Sequence, residues 1–318
     1  MKIAVLYQYY ESNDDYIDNL VYFISTAYNK EIDFYILHSS ELSINIPRFD
    51  NLHLIPTKNI NYDFGSISEG LASKKIPINY DYYFVFNSTV RGPFLHPRTQ
   101  EAWYEIFLSL FDKDVELVGS TINIPQQQTK EVIRFNELYP QYLKHCSHIQ
   151  TMAYCLSRKA MDHLLKINFF KVLPKKSKLD VICDYEIRLS AEMTKNSWNL
   201  RCMLPEYNQI DYTKPKFDKA VVLEGEYGAI DKRVYFGRTA SPFEVMFAKI
   251  NRGAISKHKL ASYTYTALNL QTIKELEDWD ENVKLRKKCL KIINDSLIEK
   301  EKIKKSFLTR IYKKLIGI

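Results

Sequence analysis

The sequence predicts an α/β protein with a mostly parallel sheet flanked by helices and a helical tail at its C-terminal end. Short apolar runs alternate with stretches of helical apolar spacing over about the first 120 residues, the pattern of a doubly wound sheet. The 318 residues are enough for one large domain, or for a domain with an appendage. Basic charge is concentrated at the end, where residues 284–318 contain 12 Lys and Arg against 3 Asp and Glu.

Each predicted element follows from a local pattern. The apolar run that begins at Ile3 predicts a strand. Apolar residues at positions 17, 20, 21 and 24 then recur at helical spacing and predict a helix. Gly92 and Pro93 follow the strand that ends at Phe86 and prevent its continuation. The predicted strands are residues 3–9, 32–37, 52–56, 80–86, 115–119, 148–156 and 198–203. The predicted helices are residues 14–28, a short helix capped by Ser66, residues 103–111, 157–165 and 179–195, and a region from about residue 270.

Composition excludes several classes of protein. With 46% hydrophobic and 14% aromatic residues, the chain is neither disordered nor fibrous. Before residue 284, 33 Lys and Arg face 35 Asp and Glu, so we expect no nucleic-acid partner for the body. The five cysteines form no C-x-x-C pair, which fits a reducing cytoplasm rather than a disulfide framework or a zinc site. The N-terminus lacks the features of a signal peptide, and no apolar stretch is long enough to span a membrane.

Ligands of open α/β sheets bind at the carboxyl ends of strands, so the residues that follow each predicted strand are candidates for a site. Two such positions lie early in the chain. Residues 7–10, Tyr-Gln-Tyr-Tyr, suit contact with a nucleobase but also an ordinary strand exit. Asp63 and Gly65 lie where a helix begins, and free backbone N–H groups at such a position favour an anion. An Asx-type turn with a helix cap is the structural alternative there.

Two more candidate positions follow. Asn87, Ser88 and Thr89 come directly after a strand, at a place where many nucleotide-diphosphate enzymes have two carboxylates for Mg²⁺ or Mn²⁺. Neutral oxygens hold a divalent ion weakly, so either the metal is bound elsewhere or Arg and Lys neutralise the diphosphate. Asp180, Asp184 and Glu186 lie close together on one predicted helix or its entry turn. One of these carboxylates can act as a general base for a bound acceptor hydroxyl, and ordinary surface acids are the alternative.

Several segments, taken in order, resemble a group of bacterial sugar transferases encoded among capsule and lipopolysaccharide genes, which have a GT-A nucleotide-binding fold. The resemblance covers about residues 1–255, and the chain departs from the pattern at Ser241, where a histidine often precedes the proline. The matching segments are Asn61-Tyr-Asp-Phe-Gly65, Tyr80-Asp-Tyr-Tyr-Phe-Val-Phe-Asn-Ser-Thr-Val-Arg-Gly-Pro93, Leu117-Val-Gly-Ser120, His148-Ile-Gln-Thr151, residues 180–186, Tyr235-Phe-Gly-Arg-Thr239, Pro242-Phe-Glu244 and Lys249-Ile-Asn-Arg-Gly253.

The resemblance implies transfer of a sugar from a nucleoside diphosphate sugar to a hydroxyl of a bacterial surface glycan. It implies a GT-A-like domain over residues 1–265, with a nucleotide-binding core to about residue 125 and an acceptor part from about 126, and a basic tail over 266–318. The expected base is Glu186 or Asp184, the acceptor contacts are His148 and Gln150, and a divalent cation, if used, is held by Asp63 and Asn87. The expected donor contacts are Tyr7, Gln8, Asp63, Gly65, Asn87, Ser88, Arg91, Arg238, Lys249 and Arg252.

Two other classes of function remain open at this point. The absence of an acidic pair at residues 87–89 suits a noncatalytic scaffold that binds a nucleotide sugar or a glycan. A glycoside hydrolase needs two carboxylates that face each other across a cleft, which sequence does not exclude. For Arg238 and Arg252, a structural ion pair is the alternative to donor binding.

The tail suggests a location for the protein. Apolar residues are interleaved with its 12 basic ones, which is the composition of a helix that lies on an anionic membrane surface. We therefore expect a cytoplasmic protein, peripheral on the inner membrane and close to a lipid-linked glycan acceptor. A helix packed on the body or on a second subunit of a homo-oligomer is the alternative.

Overall fold

The protein is built around a seven-stranded sheet. The computed structural model describes residues 1–171, 176–216 and 231–315, with side chains described to residue 302 and at residue 304. Its strands are β1 (Ile3–Tyr9), β2 (Asp33–His38), β3 (Leu52–Pro56), β4 (Tyr82–Asn87), β5 (Val90–Arg91), β6 (Val115–Gly119), β7 (Ile122–Asn123), β8 (His148–Ile149), β9 (Ala153–Ser157), β10 (Asn199–Cys202) and β11 (Ala248–Lys249).

The strand order in the main sheet is β10-β6-β9-β4-β1-β2-β3. Neighbouring strands are parallel except at β9, which runs antiparallel to both β4 and β6. The predicted α/β class with a mostly parallel sheet is therefore confirmed. The register of β1 on β4 sets Gln8 beside Asn87, so that two of the candidate residues leave the sheet at the same edge.

Helices cover both faces of the sheet, as the strand pattern requires, because strands buried on both faces read as continuous apolar runs. Every residue of β1, β6 and β9 is buried. The helices are α1 (Asp14–Ala27), α2 (Tyr62–Ala72), α3 (Trp103–Leu108), α4 (Lys130–Leu138), α5 (Arg158–Lys166), α6 (Lys178–Val181), α7 (Arg188–Lys195), α8 (Pro242–Val245), α9 (Lys257–Gln271) and α10 (Asp280–Leu315). A π-helix, Ile182–Ile187, joins α6 to α7.

The core is rich in aromatic side chains, and this determines where the later part of the chain packs. Phe247 lies 4.3 Å, centroid to centroid, from Phe86 of β4 and 5.8 Å from Trp103 of α3. Trp103 also donates its indole N–H to the carbonyl of Ala27 at 2.9 Å. Because Phe247 is anchored in this cluster, β11 lies against β5 and the residues that follow are brought to the edge of the sheet where β4 ends.

Several predicted elements differ from the structure. The helix expected to be capped by Ser66 begins at Tyr62, so its N-cap is Asn61, five residues earlier, and Ser66 is buried inside the helix. The single strand expected at 148–156 is divided into β8 and β9, because the Gln150 N–H donates to Thr121 and the chain turns there. Helix α4 was not predicted from the sequence, and α9 begins well before the predicted helical region.

The last helix, α10, is 36 residues long and its first half packs on the body. Leu285 and Cys289 are buried, and the Lys288 ammonium lies 2.8 Å from the Asp18 carboxylate of α1. Farther along, Leu297 and Ile298 are 51% and 52% exposed. The boundary expected at residue 265 falls inside α9, which packs against α10. None of the described helices combines the length and the hydropathy that crossing a bilayer requires.

Candidate functional site

A hydrogen-bonded pair, Asp63 and Asn87, lies at the edge of the sheet where β1 and β4 end. The Asn87 side-chain N–H donates to Asp63 Oδ2 at 2.7 Å. Asn87 Oδ1 in turn accepts from the backbone N–H and the hydroxyl of Thr89, at 3.0 and 2.6 Å. A backbone N–H can only donate, so the orientation of the amide is determined, and Asn87 presents its donor to Asp63.

The turn that presents Asp63 has an uncommon backbone. Asn61 and Tyr62 both have positive φ angles, 57° and 56°, which non-glycine residues rarely adopt. Two such residues in succession are typical of a strained segment that the surrounding structure holds in place. Position 65 requires a glycine, because the Ile60 backbone approaches it so closely that a Cβ there would lie 1.6 Å from the Ile60 carbonyl oxygen. This glycine therefore has a packing role in the turn, whatever its part in donor binding.

Lys249 reaches the same place from a distant part of the chain. It pairs with Val90 across the short ladder between β11 and β5, and the next residue, Ile250, donates its N–H to the Thr89 carbonyl at 3.2 Å. Burial lowers the pKa of Lys249, while the carboxylates of Glu186 and Asp63 oppose that shift. Burial likewise raises the pKa of Asp63, against the effects of Asn87 and Lys249. The two groups are therefore near enough to influence each other's ionisation.

An open cleft of about 750 Å³ adjoins this cluster. Its walls include four of the residues predicted from the sequence: Glu186, His148, Gln150 and Arg252. Lys178 lines it too, and both Lys178 and Arg252 are close enough to Lys249 to lower its pKa further. The described lining of the cleft therefore has three cationic side chains, counting Lys130, and two carboxylates, counting Glu131, and Lys249 lies close by. A volume of this size matches the range found for small-molecule sites, about 300–1,000 Å³.

Glu186 and Asp184, which the sequence did not separate, have different surroundings. Asp184 is buried, accepts a hydrogen bond from the Tyr139 hydroxyl at 2.5 Å and forms an ion pair with Lys176. The hydrogen bond from Lys176 also raises the pKa of that lysine. Glu186 faces the cleft, and no hydrogen bond joins its carboxylate to another described residue. Both lie in the π-helix, a form that is rare and recurs at functional sites.

Asn123 is a site residue that sequence reasoning missed. It lies opposite His148 in the antiparallel pair of β7 and β8, lines the cleft and is 8% exposed. Its Oδ1 has no hydrogen-bond partner among the described residues. A buried carbonyl oxygen without a donor is costly, which is typical of a position completed by a ligand. No motif marked it, because the two-residue strand that carries it has no periodicity to recognise.

The structure does not bring Arg91 to this cleft. Its guanidinium donates to Asn19 at 2.8 Å and to Thr264 at 3.2 Å, and it lies 3.7 Å from the Asp18 carboxylate. Arg91 is 3% exposed and ties α1 to α9. Its guanidinium is directed into the body, where Nη2 has no hydrogen-bond partner among the described residues, and the donor contact predicted for Arg91 stays a prediction.

Arg238 also forms an internal ion pair. It donates to both carboxylate oxygens of Glu244, at 2.6 and 2.5 Å, and its guanidinium lies 4.5 Å from the ring centroid of Tyr235. The Glu244 hydrogen bond raises the pKa of Arg238, and Arg238 lowers that of Glu244. Of the two alternatives considered for Arg238, the structure favours the ion pair.

At the first strand exit the predicted residues are mostly inside the protein. Tyr7 is fully buried, with its ring centroid 4.7 Å from that of Phe23, so its side chain does not reach a ligand surface. Ser88 donates to the Gln8 carbonyl at 3.1 Å and accepts from the Tyr10 N–H at 2.9 Å, which ties β1 to β4. Gln8 is 4% exposed, and its Oε1 lacks a partner among the described residues.

The donor set at Asp63 and Asn87 does not fit a divalent cation. Mg²⁺ and Mn²⁺ prefer several hard oxygen ligands. Here one carboxylate is present, and Asn87 directs an N–H donor toward it, so the amide offers no oxygen on that side. Across the described residues, no group of three or more His, Cys, Asp or Glu side chains is arranged to hold a metal.

Comparison with known proteins gives likeness of fold alone. No family model matches the chain, and no curated protein matches it either. Among solved structures, the galactosyltransferase LgtC with donor and acceptor sugar analogues has a TM-score of 0.41 at 10% identity, over 86% of this chain and 99% of that one. The mannosyltransferase PcManGT from Pyrobaculum calidifontis, in complex with GDP-Man and Mn²⁺, has a TM-score of 0.37 at 9% identity.

Coverage of these structures is uneven. The match to PcManGT includes 63% of this chain and 54% of that one, so this chain spans about half of that protein's length. The bifunctional glycosyltransferase WbbM has a TM-score of 0.34 at 11% identity, over 65% of this chain and 39% of that one. Likenesses at this level concern the arrangement of strands and helices and assign no activity.

Proposed function

We propose that this protein is a glycosyltransferase that moves a sugar from a nucleoside diphosphate sugar to a hydroxyl of a bacterial surface glycan. The observation that carries the proposal is the cleft beside β4, which Glu186, Lys178 and Arg252 line, with Lys249 close enough to all three for their charges to affect its pKa. The resemblance of the sequence segments to bacterial capsule and lipopolysaccharide sugar transferases supports the substrate class. Each half of the reaction has a matching group in this cleft.

The cations serve the leaving group. When the bond between the anomeric carbon and the diphosphate breaks, negative charge develops on the diphosphate oxygens. Positive groups that are already in place stabilise that charge most effectively, because they need not reorganise during the reaction. Lys249 is held by its ladder with β5 and is half-buried, so water screens its attraction for an anion less than that of a fully exposed lysine.

Glu186 serves the acceptor. An attacking hydroxyl must lose its proton as the new glycosidic bond forms, and a carboxylate within hydrogen-bond reach can accept it. Because Asp184 is already engaged by Lys176 and Tyr139, Glu186 is the better candidate. A single positioned base suffices for inversion at the anomeric carbon, and we propose that stereochemical course.

The acceptor contacts lie on the wall formed by β7 and β8. His148 and Gln150 were expected there from the sequence, and Asn123 joins them in the structure. Amide and imidazole groups are suited to sugar hydroxyls, since they can donate and accept in one plane. We therefore propose that this wall orients the acceptor hydroxyl toward Glu186.

We expect purified protein to release nucleoside diphosphate from at least one member of a panel of nucleotide sugars. The panel contains the UDP, GDP, CDP, ADP and dTDP sugars. The nucleoside diphosphate released is measured by liquid chromatography, with and without simple glycoside acceptors. Binding of a nucleotide sugar without any turnover would contradict the transferase and favour the scaffold alternative, for which the missing acidic pair at residues 87–89 is the best support.

We also propose that the last half of α10 attaches the protein to the anionic cytoplasmic surface of the inner membrane, near a lipid-linked acceptor. Leu297 and Ile298 are exposed on a helix that extends past the body, with basic residues on either side. Each Lys or Arg near an anionic surface contributes about 1 kcal/mol. The apolar positions predicted to continue this face, at 303, 307, 308, 311 and beyond, lie outside the described side chains.

Truncation after Asp295 is expected to abolish binding to vesicles that contain phosphatidylglycerol, while diphosphate release stays unchanged. The cut is placed there because Leu285 and Cys289 are core residues, so removal from residue 284 would expose the interior. The measurement is co-sedimentation with anionic and with neutral vesicles.

A matched control keeps the helix and removes charge: Lys300, Lys302 and Lys304 are replaced together by Gln. We expect weaker vesicle binding, and a shallower loss as salt is raised, because fewer charges remain to be screened. Equal vesicle binding by the full-length and truncated proteins would contradict the proposal, and a change in oligomeric state on truncation would favour subunit pairing instead.

A further inference from the structure

The position after β4, where many nucleotide-diphosphate enzymes hold a metal ion, lacks suitable oxygen ligands in this protein. A divalent ion there would need oxygen atoms from both Asp63 and the residue after the strand. Asn87 cannot supply one, because Thr89 donates two hydrogen bonds to its Oδ1 and leaves the N–H side facing Asp63. Rotating the amide would set its N–H₂ group against the Thr89 N–H, a contact between two donors.

A positive charge from the chain itself occupies this neighbourhood. The β5–β11 ladder pairs Lys249 with Val90, and Ile250 donates to the Thr89 carbonyl, so the lysine is joined to the Asn87 turn by backbone hydrogen bonds. Its ammonium is attracted by both Asp63 and Glu186. A half-buried cation is costly unless it is compensated, and two carboxylates from separate elements compensate it here.

The balance of charge leaves room for an anion. The charged groups that act on Lys249 are Arg252, Lys178, Asp63 and Glu186, so that three positive groups, counting Lys249, lie near two carboxylates. Burial raises the pKa of Asp63 and lowers that of Lys249, so it weakens the charge of both groups. The excess of positive groups over carboxylates is therefore what favours an anion here without a metal.

We propose that Lys249 supplies the positive charge that a divalent ion would otherwise bring to the diphosphate, so that this chain binds nucleoside diphosphates without a metal. The inference rests on the proposed function, because it names how the same cleft holds its donor. Asp63 and Asn87 then position the lysine and the turn rather than ligate an ion.

The test is calorimetric titration of the full-length protein with UDP, GDP, CDP, ADP and dTDP, in EDTA and in Mg²⁺ or Mn²⁺. We expect the dissociation constant of the nucleotide that binds to agree within about twofold between the two conditions. Lys249→Met should weaken binding about tenfold or more in both, since a charge-assisted contact is lost while the apolar stem is kept. Lys130→Met, at a cleft-lining lysine that is 79% exposed, should change it less than about twofold.

A second variant keeps the idea testable if Lys249→Met does not fold. Asn87→Asp replaces the amide donor by a carboxylate beside Asp63, and two neighbouring carboxylates favour a divalent ion. Titration of Mn²⁺ followed by its electron paramagnetic resonance signal should show protein-bound Mn²⁺ in this variant and none in the native protein. Circular dichroism checks that each variant is folded.

The outcomes distinguish the two proposals. Nucleotide binding by the native protein that requires Mg²⁺ or Mn²⁺ overturns the inference and leaves the proposed function standing. Binding that persists unchanged in Lys249→Met also overturns it. A folded native protein that binds none of the five nucleotides in either condition overturns both.

Discussion

Replacing Glu186 by Gln should reduce sugar transfer by about 10²–10⁴-fold, the usual range for loss of a general base. The amide keeps the shape of the side chain but cannot accept a proton at neutral pH. Donor binding should remain within a few fold of the native value, since the cations that hold the diphosphate are retained. The measurement is the initial rate of transfer with the donor identified from the panel, together with calorimetric binding of its nucleoside diphosphate.

A matched control for this variant is Glu137→Gln. Glu137 is on α4, its side chain is 63% exposed, and it pairs only with Arg134 of the same helix among the described residues. We expect its transfer rate to stay near the native one. If Glu186→Gln retained more than about half of the native rate, Glu186 would not be the base, and Asp184 or a retaining mechanism would have to be considered.

Gly65→Ala should lower the free energy of unfolding by about 3 kcal/mol, the upper part of the range for overpacked sites. The new methyl group would lie 1.6 Å from the Ile60 carbonyl oxygen, and backbone atoms cannot move aside as the end of a side chain can. Relief requires the turn at Asn61 and Tyr62 to open, which would displace Asp63. We therefore expect loss of nucleotide affinity together with loss of stability in urea-induced unfolding.

Gly70→Ala is the matched control, since both glycines lie in α2 and each replacement gains helix propensity by about 1 kcal/mol. At Gly70 the nearest atoms are terminal methyl groups of Ile76 and Leu37, both at 3.0 Å, which can adjust. The difference in stability between the two variants isolates the backbone clash. A Gly65→Ala protein as stable as Gly70→Ala would contradict the geometry of the turn.

Much of the sheet could be predicted from local patterns. The strands at residues 3–9, 52–56 and 115–119 agree with the structure residue for residue, because each is a short apolar run with clear ends. The helix after residue 61 was predicted with the wrong first residue. The usual signals, a Ser and a Glu three residues later, pointed to Ser66, whereas two successive positive φ angles allow the helix to begin at Tyr62.

The candidate site was only partly predictable, because local patterns do not show which distant residues a side chain contacts. Residue type marked Glu186, His148, Gln150, Lys249 and Arg252, and the fold brings them to one cleft or its edge. The same reasoning could not tell which charged groups were already satisfied. Arg91 and Arg238 look like anion-binding residues in the sequence, but their hydrogen bonds are taken by α1 and α9 in one case and by Glu244 in the other.

The sequence alone determined the α/β class, most strand positions and the types of residue that do chemistry, because these depend on side chains a few positions apart. The tertiary structure decided which of those residues meet. Asp63, Asn87 and Lys249 are separated by up to 186 positions, and they are joined by strand pairing and by the aromatic cluster around Phe247. Long-range packing of this kind has no local signature. It separates Glu186, whose carboxylate accepts no hydrogen bond from the described residues, from Asp184, which Tyr139 and Lys176 engage.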